Sequence, residues 1–426
     1  MRSASRYVGW LMCGLVCWAS PASADVVVDW NLIATQAVAS AGASRQGPAG
    51  LIDVAIVQLA VHDAMQAFQK RFEPYGAPIS NASGSPVAAV ARAARDVLIG
   101  IGLTSTANGS VDTLYTNYLT QRGLLNDAGL AAGQLAAAQI LALRVNNDGR
   151  VPANAEQFFG GTGVGEWRPT SLTATGDPMP MVGAYIRSVR PFTLRDASQF
   201  RQEPPPNLKS GKYADEYNEV KALGSLNGSS RRPSQTDTAL FFADNAVQYW
   251  NRTLRSIADA DVPDSGDSAR MFALVNIAMA DSLIASWDSK VHFNFWRPLT
   301  AIRLGDNDGN DRTVGDAAWT SFIATPNYPD YSSGANNLSG SATTMLANFF
   351  RRDKFTFTMT STFVHPVTGQ TPQNPRIYSS FSQAADDVVD ARIFEGIHFR
   401  SADEDGRSQG KHIANWAFAH FLRALR

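Results

Sequence analysis

Three short segments in the second half of the chain carry residues whose types and spacing suit a single chemistry. Lys290 is followed, after six residues, by Arg297-Pro298; then comes Tyr331-Ser332-Ser333-Gly334-Ala335-Asn336; then Arg392, five residues, and His398. Each alone has an ordinary reading. Cations near helix ends offset the helix dipole, and Ser-Gly before an apolar run is a common cap. A lone histidine is more often structural than catalytic. Together they describe a receptor for a tetrahedral or trigonal-bipyramidal oxyanion. Lys290 offers a flexible point charge, and Arg297 and Arg392 offer planar forks that match pairs of oxygens. Ser333 and Gly334 precede a predicted helix, so a hydroxyl and backbone N–H groups would face an anion at its N-terminus. His398 is the one member able to bond covalently to the central atom.

The elements that must hold these residues are helices. Pro298 disfavours helix at Arg297, so the helix carrying Lys290 should end between the two. Arg392 and His398 would stand about 240° apart on a continuous helix. They converge only if the chain breaks, and Gly396 is the place for the break. Apolar periodicity predicts further helices over Trp30–Ser40, Gly50–Phe72, Pro86–Leu103, Asp127–Val145, Tyr213–Leu223, Thr236–Ile257, Ser268–Lys290, Gly334–Arg351, Ser380–Phe394 and Asp403–Leu425. Asp127 would cap its helix and Asp148-Gly149 would close it. Phe355–Phe363 alternates as a short strand does. Between Gly149 and Lys212, Pro, Gly and Thr become frequent, as in Pro204-Pro205-Pro206, which reads as an irregular connecting segment. A faint echo links Ala60-Val61-His62-Asp63-Ala64 with Ala278-Met279-Ala280-Asp281-Ser282 and suggests two related bundles.

Composition narrows the function. The 426 residues carry 37 basic against 38 acidic side chains. That balance lacks the basic excess a nucleic-acid partner requires. With 44% hydrophobic and 18% charged residues a large core is expected. The first 24 residues read as a bacterial secretory signal peptide: Arg2 and Arg6, an apolar stretch from Tyr7 to Trp18, then Ala22-Ser23-Ala24. Cleavage near Asp25 implies a periplasmic or secreted protein. Cys13 and Cys17 are the two cysteines of the chain and both lie in this leader. The mature protein therefore has no disulfide, thiolate metal site or cysteine nucleophile. Its apolar runs read as too short to cross a bilayer, so no membrane insertion is expected after cleavage.

The segments Trp287-Asp288-Ser289-Lys290, Phe295-Trp296-Arg297-Pro298-Leu299-Thr300-Ala301-Ile302-Arg303 and Arg392-Ile393-Phe394-Glu395-Gly396-Ile397-His398-Phe399-Arg400 resemble the vanadium-dependent haloperoxidase family. That family lies within the superfamily of type-2 phosphatidic acid phosphatases and bacterial acid phosphatases. The resemblance implies an all-α fold of two helical bundles joined by the Pro-rich segment. Residues 25–210 would form the N-terminal bundle and connecting segment, and residues 211–426 the C-terminal bundle with the oxyanion site. It implies that His398 bonds the vanadium of vanadate, that Lys290, Arg297 and Arg392 are charged oxyanion ligands, and that Ser333 and Gly334 supply a hydroxyl and a backbone N–H. The cofactor would be vanadate, with phosphate as a competitor. The partners would be hydrogen peroxide, a halide (iodide or bromide before chloride) and a small organic acceptor. Two alternatives stand beside this: a soluble phosphomonoesterase with His398 as nucleophile, and a non-catalytic oxyanion-binding protein.

The alternatives arise from one departure. The family's middle motif is Pro-Ser-Gly-His, and here it is Ser332-Ser333-Gly334-Ala335. The missing histidine is the general acid–base, a role that contributes about 10²–10⁴-fold in rate. Asn336 can only orient, and His292 is the nearest substitute base in sequence. Ala402 stands where many relatives carry an acid, with Asp403 adjacent. Elsewhere, the loop Asp306-Asn307-Asp308-Gly309-Asn310-Asp311 fails the EF-hand pattern, with glycine misplaced and Ala317 at the twelfth position. His62 and Asp63 read as a polar pair satisfied within the core. His365, His412 and His420 show no partner spacing. Phe293, Phe295 and Trp296 are either core or the wall of an apolar pocket.

Overall fold

Two long apolar helices set the architecture. Helices α2 (Gly50–Gln69) and α9 (Ser265–Phe293) pack against each other, with almost every residue of α2 and most of α9 buried. The structure, a computed structural model, describes residues 25–42, 45, 49–145, 148 and 156–425. The leader read at residues 1–24 and the helix stop at Gly149 lie outside them. By length and a mean hydropathy of 1.3, both α2 and α9 could span a membrane, which corrects the reading that no segment is long enough. Both are 94% buried inside the protein. They are apolar all round because other helices surround them, not lipid.

Thirteen α-helices and two small strand pairs are present among the described residues. Around α2 lie α1 (Val26–Ala41), α3 (Pro86–Gly100) and α5 (Gly129–Arg144). Around α9 lie α11 (Gly334–Phe350) and α13 (Arg400–His420), with α12 (Phe381–Phe394) packed on α11. One hydrophobic cluster runs through both groups, from Val26 to Leu422. The echo between the two central helices has a physical basis. Asp63 accepts from the backbone N–H of Tyr75 and Gly76, each at 2.8 Å. Asp281 accepts from Phe192 N at 2.6 Å and Thr193 N at 2.8 Å. Each buried acid thus fastens a returning loop to a central helix. His62 is satisfied on one side only: its Nε2 lies 3.1 Å from the Glu73 carbonyl, and its Nδ1 is buried without a partner.

The differences from the sequence reading are local. The helix predicted over Thr236–Ile257 is two: α7 (Pro233–Phe242) and α8 (Ala246–Asp261). Extended backbone at Asn245 interrupts the run, and its side chain caps α8 by accepting from Val247 N at 2.9 Å. Helices α4 (Val111–Gln121) and α10 (Pro298–Arg303), and the hairpin β1 (Ser105–Thr106) and β2 (Gly109–Ser110), were not anticipated. Helix α6 spans Gly211–Leu223. Strand β3 (Lys354–Met359) stops short of Phe363 and pairs antiparallel with β4 (Arg376–Ser380), which alternation did not reveal. Helix α13 begins at Arg400 and ends at His420 rather than spanning 403–425. Asp127 caps α5 from one residue further out, accepting from Gly129 N at 2.7 Å and also from Ser85 N at 2.7 Å. The described part of the connecting segment holds a single 3₁₀ turn, Ala184–Ser188, and is tied to α9 by Asp281, by Trp287 Nε1 donating to Val182 O at 3.1 Å, and by the Arg201–Asp288 ion pair.

Helix α11 opens on the second motif and α13 begins just after the third, and the two helices meet backbone to backbone. A Cβ added at Gly410 would stand 2.1 Å from the Asn337 carbonyl oxygen, an atom that cannot rotate away. Gly410→Ala should therefore separate the helices and lower stability by about 1–3 kcal/mol, the usual cost of overpacking. Urea denaturation reads this directly, and an unchanged midpoint would contradict the packing described.

Candidate oxyanion site

Helix α9 ends where the Lys290–Arg297 spacing requires. Asn294 adopts φ +48°, its N–H closes the last turn on the Lys290 carbonyl, and the chain extends to Arg297, the N-cap of α10. Pro298 occupies the first turn of α10, where its missing N–H costs nothing. Helix α12 likewise stops at Phe394. Gly396 has φ +79°, and a Cβ there would stand 2.2 Å from the Gly224 carbonyl oxygen, so the turn that returns His398 toward Arg392 needs glycine twice over.

A pocket of about 250 Å³ opens beside these ends, lined by Gly334, Ala335, Arg392 and His398 together with Tyr328 and Trp287. Arg297 is fully buried behind it. Its Nη1 lies 3.0 Å from His398 Nε2 and donates to the Ile397 carbonyl at 2.6 Å; its Nε donates to the Tyr328 carbonyl at 2.8 Å. Its Nη2 has no partner. Lys290 Nζ, also fully buried, donates to the carbonyls of Pro329 and Asp330 at 2.8 and 3.0 Å. Arg392 pairs with Glu395 at 2.7 Å, and its Nε is buried without a partner. Ser333 is the N-cap residue of α11, but its own N–H is taken by the Ala402 carbonyl. The hydroxyl lies with Asn336 and Asp403 instead. Asn336 Nδ2 donates to Asp403 Oδ1 at 2.8 Å. Of the six residues singled out from the sequence, Gly334, Arg392 and His398 line the pocket, and Lys290, Arg297 and Ser333 are fully buried beside them.

The acids here were missed in sequence. Asp330 is fully buried, with its Oδ1 2.8 Å from His398 Nδ1 and 3.9 Å from Arg297 Nη1. The contact with His398 is within reach but off the hydrogen-bond direction, so both atoms remain unsatisfied. Burial pushes Asp330 up to about 7, although Arg297 and Lys290 pull it back. Burial also pushes Glu395 up to about 7 and Asp403 well above the carboxylate range. His398 is held well below the ordinary histidine range, first by burial and then by Arg297, Lys290 and Arg392. Lys290 is depressed by burial and by Arg297. The acids are driven toward neutrality while both guanidiniums stay charged, so the pocket has an unmet demand for an anion. A neutral His398 with Nδ1–H toward Asp330 leaves Nε2 unprotonated, and its lone pair accepts from Arg297 Nη1 at 3.0 Å.

Two readings left open by the sequence are decided. His292 is exposed and lines an outer groove with Pro204, Pro205 and Pro206, so it is not a substitute base. Phe295 and Trp296 belong to a separate core cluster with Tyr213 and Phe399, and the pocket's aromatic wall is Phe242, Tyr249, Trp287 and Tyr328. The acidic loop is self-contained: Asp306 accepts from Gly315 N and Asp308 from Asn310 N and Thr313 Oγ1. No group of residues among those described could hold a metal ion through three His, Cys or carboxylate ligands. Unpartnered N–H groups on Arg297 and Arg392 fit an oxyanion instead.

The fold and site define an all-α protein with a buried cationic receptor at the meeting point of α9, α11 and α12. Comparison with known proteins then places it. Residues 270–426 match the family model described as the VCPO second helical-bundle domain, and the chain carries the helical fold of the vanadium haloperoxidases. Over 211 residues it is 31% identical to vanadium chloroperoxidase of Curvularia inaequalis, a match covering 41% of this chain and 34% of that protein. The chain thus matches about a third of the length of this curated relative. The crystal structure of the first bacterial vanadium-dependent iodoperoxidase superposes with a TM-score of 0.74 at 22% identity, covering 94% of this chain and 96% of the other. An apo-type bacterial vanadium-dependent chloroperoxidase superposes with a TM-score of 0.70 at 18% identity, covering 88% and 94%.

Proposed function

We propose that this chain is a vanadate-dependent haloperoxidase that oxidises iodide or bromide with hydrogen peroxide and releases a hypohalous product to a small organic acceptor. The observation that carries the reading is that Arg392 and His398 line one pocket, with Arg297 Nη1 3.0 Å from His398 Nε2 and Lys290 Nζ 5.1 Å from the ring of Tyr328, a wall of that pocket. Vanadate, when bound, supplies a Lewis-acidic centre that activates peroxide toward a halide. Arg297 and Arg392 would hold its oxygens through the N–H groups that lack partners, with Lys290 as the point charge and Gly334 N–H and the Ser333 hydroxyl at the helix start. His398 would bond the vanadium. Trp287 and Tyr328, with ring centroids 5.0 Å apart and planes tilted by 49°, wall the pocket beside the cations. The leader-like first 24 residues support export, where a mature chain without cysteine withstands peroxide.

Titration of vanadate into the purified protein, followed by calorimetry, should give a micromolar or tighter dissociation constant, with phosphate competing. Peroxide-dependent iodide oxidation should appear only after vanadate is added. Absence of vanadate binding at these concentrations would overturn the proposal.

A further inference from the structure

We propose that Tyr328 supplies, from across the pocket, the hydrogen-bond and proton donor that Ala335 does not. This rests on the haloperoxidase reading and deepens it. Tyr328 lines the same pocket as Ala335, Gly334, Arg392 and His398. Its ring is clamped: Trp287 packs on it at 5.0 Å, Lys290 Nζ lies 5.1 Å and Arg297 Cζ 4.8 Å from the ring centroid, and its carbonyl is held by Arg297 Nε. Such cation–π contacts fix the ring without using the hydroxyl. The hydroxyl has no hydrogen-bond partner among the described residues, and it is close enough to Arg297 and Arg392 to bear on both guanidiniums.

The other hydroxyl, amide and carboxyl side chains on the pocket wall are committed, and of the remaining polar ones Arg392 keeps one ion pair. Asp244 holds Arg252 and the Thr362 N–H, Asn245 caps α8, the Tyr249 hydroxyl shares a contact with Ser339, and Arg392 pairs with Glu395. Asn336 is turned away onto Asp403. Tyr328 is therefore the uncommitted hydroxyl in the pocket. A donor is needed because the net reaction, halide plus hydrogen peroxide plus one proton giving hypohalous acid and water, consumes a proton. The peroxide O–O bond breaks, an oxygen–halogen bond forms, and two electrons pass from halide to peroxide. The departing oxygen must be protonated to leave as water. The phenol hands over that proton and recovers it from solvent. Tyrosine is an established side chain for general acid work.

Tyr328→Phe keeps the ring, its packing and both cation contacts, so fold and cage are retained. Vanadate-loaded Tyr328→Phe should oxidise iodide about 10²-fold more slowly than the native protein. The readout that needs no turnover is the tyrosine ultraviolet difference spectrum on titration with phosphate, which is itself transparent. The native protein should show a perturbed tyrosine that the variant lacks. Adding Ala335→His should restore most of the lost rate in the Tyr328→Phe protein, yet raise the native rate by less than about tenfold, because the donor is already present. Native turnover in Tyr328→Phe, with an unaltered phosphate-induced spectrum, would overturn the proposal while leaving the haloperoxidase reading standing. If the native protein binds neither vanadate nor phosphate, both fall, and the binding measurement identifies the failure.

Discussion

His398→Ala should abolish halide oxidation, by at least about 10³-fold, while leaving phosphate binding nearly intact. The two effects separate because His398 and the cations do different things. Lys290 is held by two carbonyls and Arg392 by Glu395, and neither touches the imidazole. Arg297 loses one contact, His398 Nε2 at 3.0 Å, but keeps the carbonyls of Ile397 and Tyr328. The cage therefore survives the truncation. Phosphate would be held by charge and N–H groups alone, whereas vanadate would also use the His398 nitrogen. Vanadate affinity should fall by about 10–100-fold, in the range for losing one metal-directed group, and phosphate affinity by far less. Calorimetric titration of both anions into native and His398→Ala protein measures the split. Equal losses for the two anions would mean that His398 is a packing residue. Covalent capture of labelled phosphate by the native protein but not the variant would favour the phosphatase chemistry of the same superfamily.

The charged members of the site were legible because their types are unusual at helix ends and the chain breaks beside them are written in the sequence. Pro298 and Gly396 predict interruptions, and the structure places a helix end before each. The acids were not legible. Asp330 is the lone acid between Ala317 and Arg352, and Glu395 lies three residues after Arg392, but a carboxylate looks the same in sequence whether solvated or buried. Only the packing of α9, α11 and α12 removes water from them and makes them part of the receptor. Tyr328, five residues before Ser333, carries no distinguishing signal in the sequence. The fold shows the same pattern. Long amphipathic or apolar helices announced themselves, while α4, α10 and β4 are short elements that their neighbours stabilise more than their own residues do. The break between α7 and α8 was hidden because Phe241, Phe242 and Val247 continue the apolar run across the Asn245 cap.

Asp330→Asn should tighten binding of a plain oxyanion at alkaline pH and slow halide oxidation in the same protein. The sign follows from the carboxyl's position. Burial raises Asp330 to about 7, so above that pH it is a carboxylate 3.9 Å from Arg297, and below it a neutral acid. A negative charge there opposes an incoming anion, so anion binding favours the protonated form and affinity should rise as pH falls through about 7. Glu395, raised to the same value, shares the step. One linked proton changes affinity by at most about tenfold per pH unit. His398 does not reverse the trend in this window, because burial and three cations keep it neutral well below the ordinary histidine range. Sulfate, which does not titrate between pH 6 and 8, isolates the protein's contribution. Asparagine is neutral at every pH, so the variant should bind sulfate at pH 8 more tightly than the native protein does, with a shallower pH dependence. Turnover should move the other way. With Asp330 ionised, the imidazole is favoured as the Nδ1–H tautomer, which keeps Nε2 unprotonated as the acceptor facing Arg297 Nη1; an amide does this less well and can present its own N–H instead. Loss of such an orienting partner typically costs 10–100-fold. Tighter sulfate and slower iodide oxidation from one substitution would distinguish a positioning acid from a residue that only fills space. Parallel losses in both would assign Asp330 to packing alone.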